Sequence, residues 1–452
     1  MAASAGPSGR VPLRTLLLYG APAMPVWFGF MLQSVFLVNF AVDTLLIAPV
    51  VISTIFGASR LWDAVSDPVA GYLSDRTRSR LGRRRSWLLA SIPVLALGFT
   101  MAWSPPASLE GTALTAWVGV GIFLFYTGTT MFTIPHESLG AEMTSDHHDR
   151  TRVFGVKQLV AGTGSLAAIG GVAYLATTDD KRAAGTVLSV VVTVACVFLI
   201  GLAVARLRER KEYQGRGAPN LLRAFRDVMA NPHAVPLLFV FFVENFGTAM
   251  LGVMAPFLMK YVYGSEAMTP IFLFAYMVPA LLFIPLWIRL SRSVGKRRLW
   301  LLATATLAVG FSLMFFANAE RLWLLYAIVI IVGIGGGCGQ VVGPSIQADI
   351  IDWDELHTGQ RKEGAYFAVW NFMRKTAYGL SAMSVGYVLT GLGFVPNAEQ
   401  SPETLEGMRA VVGFLPGVCY TLGFLFLLRF KLDEKEHTQV REALDARGKS
   451  GA

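Results

Sequence analysis

The sequence predicts an all-α membrane protein of twelve transmembrane helices, built as two similar six-helix halves. Three observations carry that expectation. The 452 residues are 54% hydrophobic and only 15% charged, with a positive mean hydropathy, whereas soluble domains carry about 25% charged residues. The apolar residues fall in blocks of roughly 20 or more, enough to cross a hydrocarbon core of about 30 Å as helices, and not in the short alternating segments of a barrel. Finally, Leu81-Gly82-Arg83-Arg84-Arg85-Ser86-Trp87 recurs as Val294-Gly295-Lys296-Arg297-Arg298-Leu299-Trp300, each copy between the second and third apolar block of its half. Two copies in the same orientation imply a parallel repeat about an axis along the membrane normal, with a ligand site expected between the halves.

In chain order, spans are expected near 15–43, 45–73, 87–106, 112–137, 153–176 and 185–207, then near 234–260, 268–290, 299–317, 322–350, 363–392 and 408–430. The polar stretch 208–233, with Arg208, Arg210, Lys211 and a Gly-Arg-Gly-Ala-Pro run, reads as a cytoplasmic linker between an N-terminal half, 1–207, and a C-terminal half with a polar tail, 234–452. The first apolar block is too long for a cleaved signal, so it is expected to be a retained helix.

The net charge of +9 does not describe a nucleic-acid-binding face, because Lys and Arg are gathered in short loops between apolar blocks. Cytoplasmic loops carry the Lys and Arg excess. With both termini inside, only Lys181, Arg182, Lys260, Arg321 and Arg409 of the 39 basic residues fall on outer loops, and Arg60, Arg374 and Lys375 fall within spans. A multi-pass protein of the plasma (inner) membrane with cytoplasmic termini is expected, monomeric and surrounded by lipid. Cys196, Cys338 and Cys419 sit singly in apolar runs, which marks them as packing residues. Of the six histidines, only His136 falls beside a span in a place that could face a cavity.

Ionisable residues within a bilayer are costly and usually functional. The densest group is Arg60, Asp63 and Asp67 in the second span, which at about 100° per residue lie within about 60° of one helix face. Two carboxylates one turn apart repel unless a cation, a proton or a fixed positive charge intervenes. Arg60 can neutralise one; the other suits Na⁺ or H⁺, and no further cofactor is implied. A helical D-x-x-x-D also occurs in membrane enzymes that bind Mg²⁺-diphosphate, and Asp349, Asp352 and Asp354 resemble a second such motif. The duplicated six-helix plan argues against an enzyme of that kind.

Arg60-Leu-Trp-Asp63-Ala-Val-Ser-Asp67-Pro-Val-Ala-Gly71-Tyr-Leu-Ser-Asp75-Arg76, followed by Arg80-Leu-Gly82-Arg83-Arg84-Arg85, resembles the glycoside-pentoside-hexuronide:cation symporters of the major facilitator superfamily, the melibiose permease-like family. The resemblance extends through Tyr19-Gly20, Ile134-Pro135, Glu142, Arg150-Thr151, Ala348-Asp349-Ile350-Ile351-Asp352, Thr358-Gly359-Gln360-Arg361, Glu363-Gly364 and Lys375. It implies the major facilitator fold and symport by alternating access. The matching cation positions are Asp63 and Asp67, with Thr130 and, in place of an acidic residue, Thr133. The family's sugar-binding aspartate falls at Trp27 and its sugar-stacking tryptophan at Glu137, which leaves Trp27, Glu137, Lys157, Trp370 and Lys375 as the solute-binding candidates. Arg60, Asp75, Arg76, Arg83, Arg150, Asp349 and Arg361 match gating positions. The resemblance favours a glycoside or related small polar solute. The apolar first span, with Met24, Trp27, Phe28, Phe30, Met31 and Phe36, suits an amphiphilic anion such as a lysophospholipid.

Overall fold

The computed structural model describes residues 11–144, 147–207, 209, 221–359, 362–430 and 434–450. They are helical throughout, with no strand among them. The chain forms two compact units, Met1–Ala218 and Pro219–Ala452. The first holds α1 (Leu13–Gly20), α2 (Ala23–Asp43), α3 (Pro49–Arg76), α4 (Arg83–Trp103), α5 (Gly111–Glu142), α6 (His147–Thr177) and α7 (Lys181–Arg206). The second holds α8 (Leu221–Met229), α9 (Ala234–Phe257), α10 (Thr269–Leu282), α11 (Ile284–Val294), α12 (Lys296–Met314), α13 (Leu322–Thr358), α14 (Glu363–Gly391), α15 (Pro402–Arg429) and α16 (Glu434–Ser450).

Helix falls on every one of the predicted stretches, and among the described residues nine segments are long and apolar enough to cross a membrane. Of the helices on the twelve predicted stretches, α3, α12 and α14 fall short of that standard. The first carries Arg60, Asp63 and Asp67, the last Arg374 and Lys375, and α12 opens on Lys296-Arg297-Arg298.

Three departures from the expected outlines have local causes. The first stretch breaks at Ala21-Pro22 and the eighth at Phe283, between Pro279 and Pro285, where missing backbone donors and ring clashes interrupt a helix. Helix α13 runs 37 residues, to Thr358, past the expected end at 350, so Asp352 and Asp354 are helical and not at a loop edge. Charge ends an apolar run without ending a helix; Gly359, left-handed at φ 68°, does that here.

Each unit repeats the same packing scheme. In the first, α4 packs on α5 and α7, α3 on α5, and α2 on α6; in the second, α12 packs on α13 and α15, α10 on α13, and α9 on α14. These are corresponding helices of the two halves, so the repeat read from two short loops extends to the whole architecture. Without a hydrophobic drive between helices in lipid, small residues set how closely they approach. On α4 and α5, a Cβ on Gly98 would lie 2.3 Å from the Phe125 backbone nitrogen, and one on Gly128 2.8 Å from that of Leu95. On α13, Gly333 and Gly337 meet the carbonyls of Tyr276 and Ala280 from α10 in the same manner, at 2.3 and 2.4 Å.

Gly98→Ala is therefore expected to lower the thermal midpoint by several degrees, an overpacking cost of about 1–3 kcal/mol, because backbone must move. Gly170→Ala, whose Cβ meets nothing within 4 Å, is the matched control and leaves the midpoint unchanged. Equal midpoints for both variants would contradict the close α4–α5 seam.

Candidate functional site

Helix α3 carries Asp63 and Asp67 one turn apart on one face. Asp63 is 2% exposed and Asp67 is half-buried. From α5, Thr130 places its Oγ1 2.8 Å from Asp63 Oδ1, 3.0 Å from Asp67 Oδ1 and 3.2 Å from Ser66 Oγ. Thr130 is buried and Thr133, three residues on, is half-buried. A threonine hydroxyl has a single proton to donate, so it serves only one carboxylate fully at a time. The pair calls for a further positive charge.

Arg60 is one turn before Asp63 and buried, with 4% of its surface exposed. Its guanidinium lies 4.4 Å from the Phe30 ring centroid and 4.7 Å from that of Tyr126, and its Nη2 is 3.4 Å from Ser34 Oγ. Aromatic faces and a hydroxyl thus fix it beside the carboxylates. The half-buried Trp27 lies 5.1 Å from the same Phe30 ring, centroid to centroid, so a solute candidate touches the packing that holds Arg60. The sequence grouped Arg60 with Asp63 and Asp67 and also named it a gating residue; in the structure it is buried on α3 one turn before Asp63.

Two more solute candidates meet nearby on α5 and α6. Lys157 Nζ lies 2.7 Å from Glu137 Oε1, the lysine buried and the carboxylate about half exposed. His136, fully buried, stacks on Tyr19 and Phe132 with centroids 4.3 and 4.7 Å away, and its Nε2 is 2.8 Å from the Tyr19 carbonyl. That is a packing role tying α1 to α5. In the second unit Trp370 is buried in the apolar core with Tyr366, Val369 and Phe430. Lys375 is half-buried on α14, and its exposed neighbour Arg374 donates to Asn371 Oδ1 at 3.0 Å.

The basic repeat forms an ionic knot in each unit. In the first, Asp75 pairs with Arg84 and lies 3.7 Å from Arg83, whose Nη2 reaches Glu142 Oε1 at 2.6 Å. Arg85 donates to the Val204 carbonyl of α7. In the second, Lys296, the counterpart of Arg83, lies 2.8 Å from Asp349 Oδ2 on α13, and Arg297 donates to the Leu428 carbonyl of α15 at 2.7 Å. Glycine opens both copies: Gly82 at φ 106° and Gly295 at φ 87° immediately precede the helices, a conformation that only glycine adopts freely. From α16, His437 Nε2 reaches Asp352 Oδ2 at 3.0 Å and Asp349 Oδ1 at 3.5 Å. Arg76 is exposed over the Tyr72 ring at 4.1 Å, apart from the knot. The Arg150 side chain and Arg361 lie outside the described residues.

Sequence reasoning passed over three participants. Glu209 accepts the backbone N–H groups of Arg83, Arg84 and Arg85 at 2.9, 2.8 and 2.7 Å, capping α4 with a carboxylate that favours a helix N-terminus; its one signal was an acid among Arg208, Arg210 and Lys211. Arg84 was hidden in a run of three arginines. Glu244, a buried acid on α9, was legible as the lone carboxylate of its apolar block. No cluster of three His, Cys, Asp or Glu side chains suited to a metal occurs among the described residues.

Comparison with known proteins agrees with this architecture. The family model for MFS/sugar transport proteins matches residues 18–434. The glucuronide carrier protein homolog of Escherichia coli is 22% identical, covering 96% of each chain. The sodium-dependent lysophosphatidylcholine symporter 1 of Xenopus tropicalis is 22% identical, covering 90% of this chain and 85% of that one. The solved structure of a D-xylose–proton symporter superposes with a TM-score of 0.68 at 13% identity, over 92% of this chain and 98% of that one, which speaks for the fold. The chain is an integral multi-pass membrane protein of the MFS/sugar transport family, in the glycoside-pentoside-hexuronide:cation symporter branch of the major facilitator superfamily.

Proposed function

We propose that this transporter moves its solute with a cation that binds at Asp63, Asp67 and Thr130, and that the two units alternate access to the solute from either side of a plasma membrane, both termini cytoplasmic. The observation that carries the reading is the Thr130 hydroxyl within 3.0 Å of both carboxylates. One buried and one half-buried acid, one hydroxyl proton and one arginine make a cluster whose balance a Na⁺ or H⁺ completes. Oxygen ligands of this kind suit a small hard cation. Pro68 directly follows Asp67 and has no N–H to offer the Ala64 carbonyl, which adds a backbone oxygen near the pair. Thr133 is an auxiliary oxygen on the same helix as Thr130.

The solute is a glycoside or a related polar compound, the class that the name of the Escherichia coli relative suggests. Lys157 and Glu137, joined at 2.7 Å, form a polar pair able to exchange with hydroxyl or carboxylate groups of such a solute, and Lys375 is the second unit's contribution. A second reading, an amphiphilic anion with Trp27 against its apolar part, rests on the aromatic first span and on the lysophosphatidylcholine symporter relative. The ionic knots of the two basic loops act as gate contacts that hold or release one conformation.

Uptake into proteoliposomes of sugars, uronates and lysophospholipids, with and without a Na⁺ or H⁺ gradient, separates these readings. Asp63→Asn and Asp67→Asn are each expected to abolish gradient-driven accumulation; accumulation by both would refute the site. Thr130→Val should weaken cation binding roughly tenfold, near the 1.4 kcal/mol of one hydrogen-bonding oxygen. Asp75→Asn should give a folded protein whose maximal rate drops about tenfold while solute affinity holds within about twofold, the pattern of a shifted conformational population. Unchanged rates would reduce that loop to a topology signal.

A further inference from the structure

Glu244 is a carboxyl that the cation site does not use. It lies on α9 with 8% of its surface exposed, in the second unit. Its Oε2 accepts from Trp300 Nε1 at 3.3 Å and its Oε1 lies 3.1 Å from Thr304 Oγ1, both partners on one face of α12. Gly423 of α15 faces the carboxyl: a Cβ there would stand in van der Waals contact, 3.5 Å from both Cγ and Oε1 of Glu244.

The titratable groups that face the carboxyl are the Cys338 thiol of α13 and the Tyr420 hydroxyl of α15. Both are neutral, and Tyr420 is engaged with Thr248 Oγ1 at 2.6 Å. Neither α8, α10 nor α14 brings a charged group to Glu244 among the described residues. Trp300 and Cys338 themselves belong to a buried apolar cluster with Val240, Leu299 and Ala303.

This donor set matches an unionised acid better than a carboxylate. Indole N–H can only donate, so it addresses the carbonyl-type oxygen, whereas a threonine hydroxyl can accept as well as donate and can receive the acid's O–H. One donor and one acceptor satisfy a neutral carboxyl, but two neutral partners leave a buried charge far short of its hydration. We propose that Glu244 is a proton-binding site of the second unit, occupied when α9, α12 and α15 are packed together. The proton resides on Oε1, where Thr304 Oγ1 accepts its hydrogen bond. Alkaline conditions remove it and disfavour the packed form, which makes that packing sensitive to pH independently of the cation pair on α3.

Infrared spectroscopy of the purified full chain in lipid nanodiscs reads this directly. At neutral pH the wild type is expected to show a protonated carboxylic C=O stretch that Glu244→Gln lacks, with carboxylate bands unchanged. Trp300→Phe, which keeps the acid and removes one donor, should shift that stretch to higher frequency. Thermal unfolding gives a second readout: the wild-type midpoint should fall more steeply toward alkaline pH than that of Glu244→Gln. Loss of a carboxylate band instead of an acid band in Glu244→Gln would overturn the proposal. If Glu244→Gln does not fold, a C=O stretch that Trp300→Phe leaves unmoved would do the same.

Discussion

Thr130 sets one hydroxyl proton against two carboxylates, and much of the first unit is arranged around that shortage. Like charges one turn apart in a low dielectric repel by several kcal/mol if both are ionised and nothing intervenes. Arg60 supplies one fixed positive charge, and its own burial is made tolerable by the Phe30 and Tyr126 rings and by Ser34. Those rings belong to α2 and α5, so the helices that neighbour α3 are bound to the electrostatics of the pair. A change in the charge state of Asp63 or Asp67 alters what Arg60 must do, and through Phe30 it reaches Trp27. In the proposed site, with the cation at the pair and Trp27 against the solute, coupling between the two would run along this path within one unit.

The basic loops solve a different problem. Buried ion pairs contribute little net stability, because desolvation offsets attraction, yet breaking one leaves an uncompensated charge. Arg83 and Arg84 share Asp75 and Glu142, and Lys296 pairs with Asp349. The Glu142 and Asp349 pairings join the start of the third span of each half to the fourth, and Asp75 ties in the end of the second. Contacts with small net value and a high cost of partial disruption favour two discrete arrangements over a continuum.

Much of the fold was legible because burial in lipid leaves few choices: the apolar blocks, the gathering of Lys and Arg in the short stretches between them, and the repeated Gly-basic-basic-basic run fix the order of elements before any contact is known. Helix ends were less legible. Asp352 and Asp354 fell beyond the expected span because charge ends an apolar run, while α13 continues to Thr358 with both of them buried. At the site, Asp63 and Asp67 could be paired by arithmetic on one helix. Thr130 needed a second helix, and only the resemblance supplied it. Glu209 acts through three backbone N–H groups, and no spacing rule connects a linker acid to a helix start more than a hundred residues earlier. Trp370 was named for chemistry that suits a solute contact, and the structure packs it in an apolar core, an environment that the sequence around it did not reveal.

The cap on α4 also decides where the first half ends as a physical object. By sequence it finishes with the last apolar residue of its sixth span, near 207, and the polar stretch beyond reads as a linker. The carboxylate of Glu209 nevertheless closes the N-terminus of α4, and a Cβ on Gly82 would stand 2.5 Å from its Oε1, so loop and acid are fitted to each other. Anyone exchanging halves between relatives, or splitting the chain for separate expression, would have to carry residue 209 with the N-terminal piece. The seam of the molecule lies inside what looks like its tether.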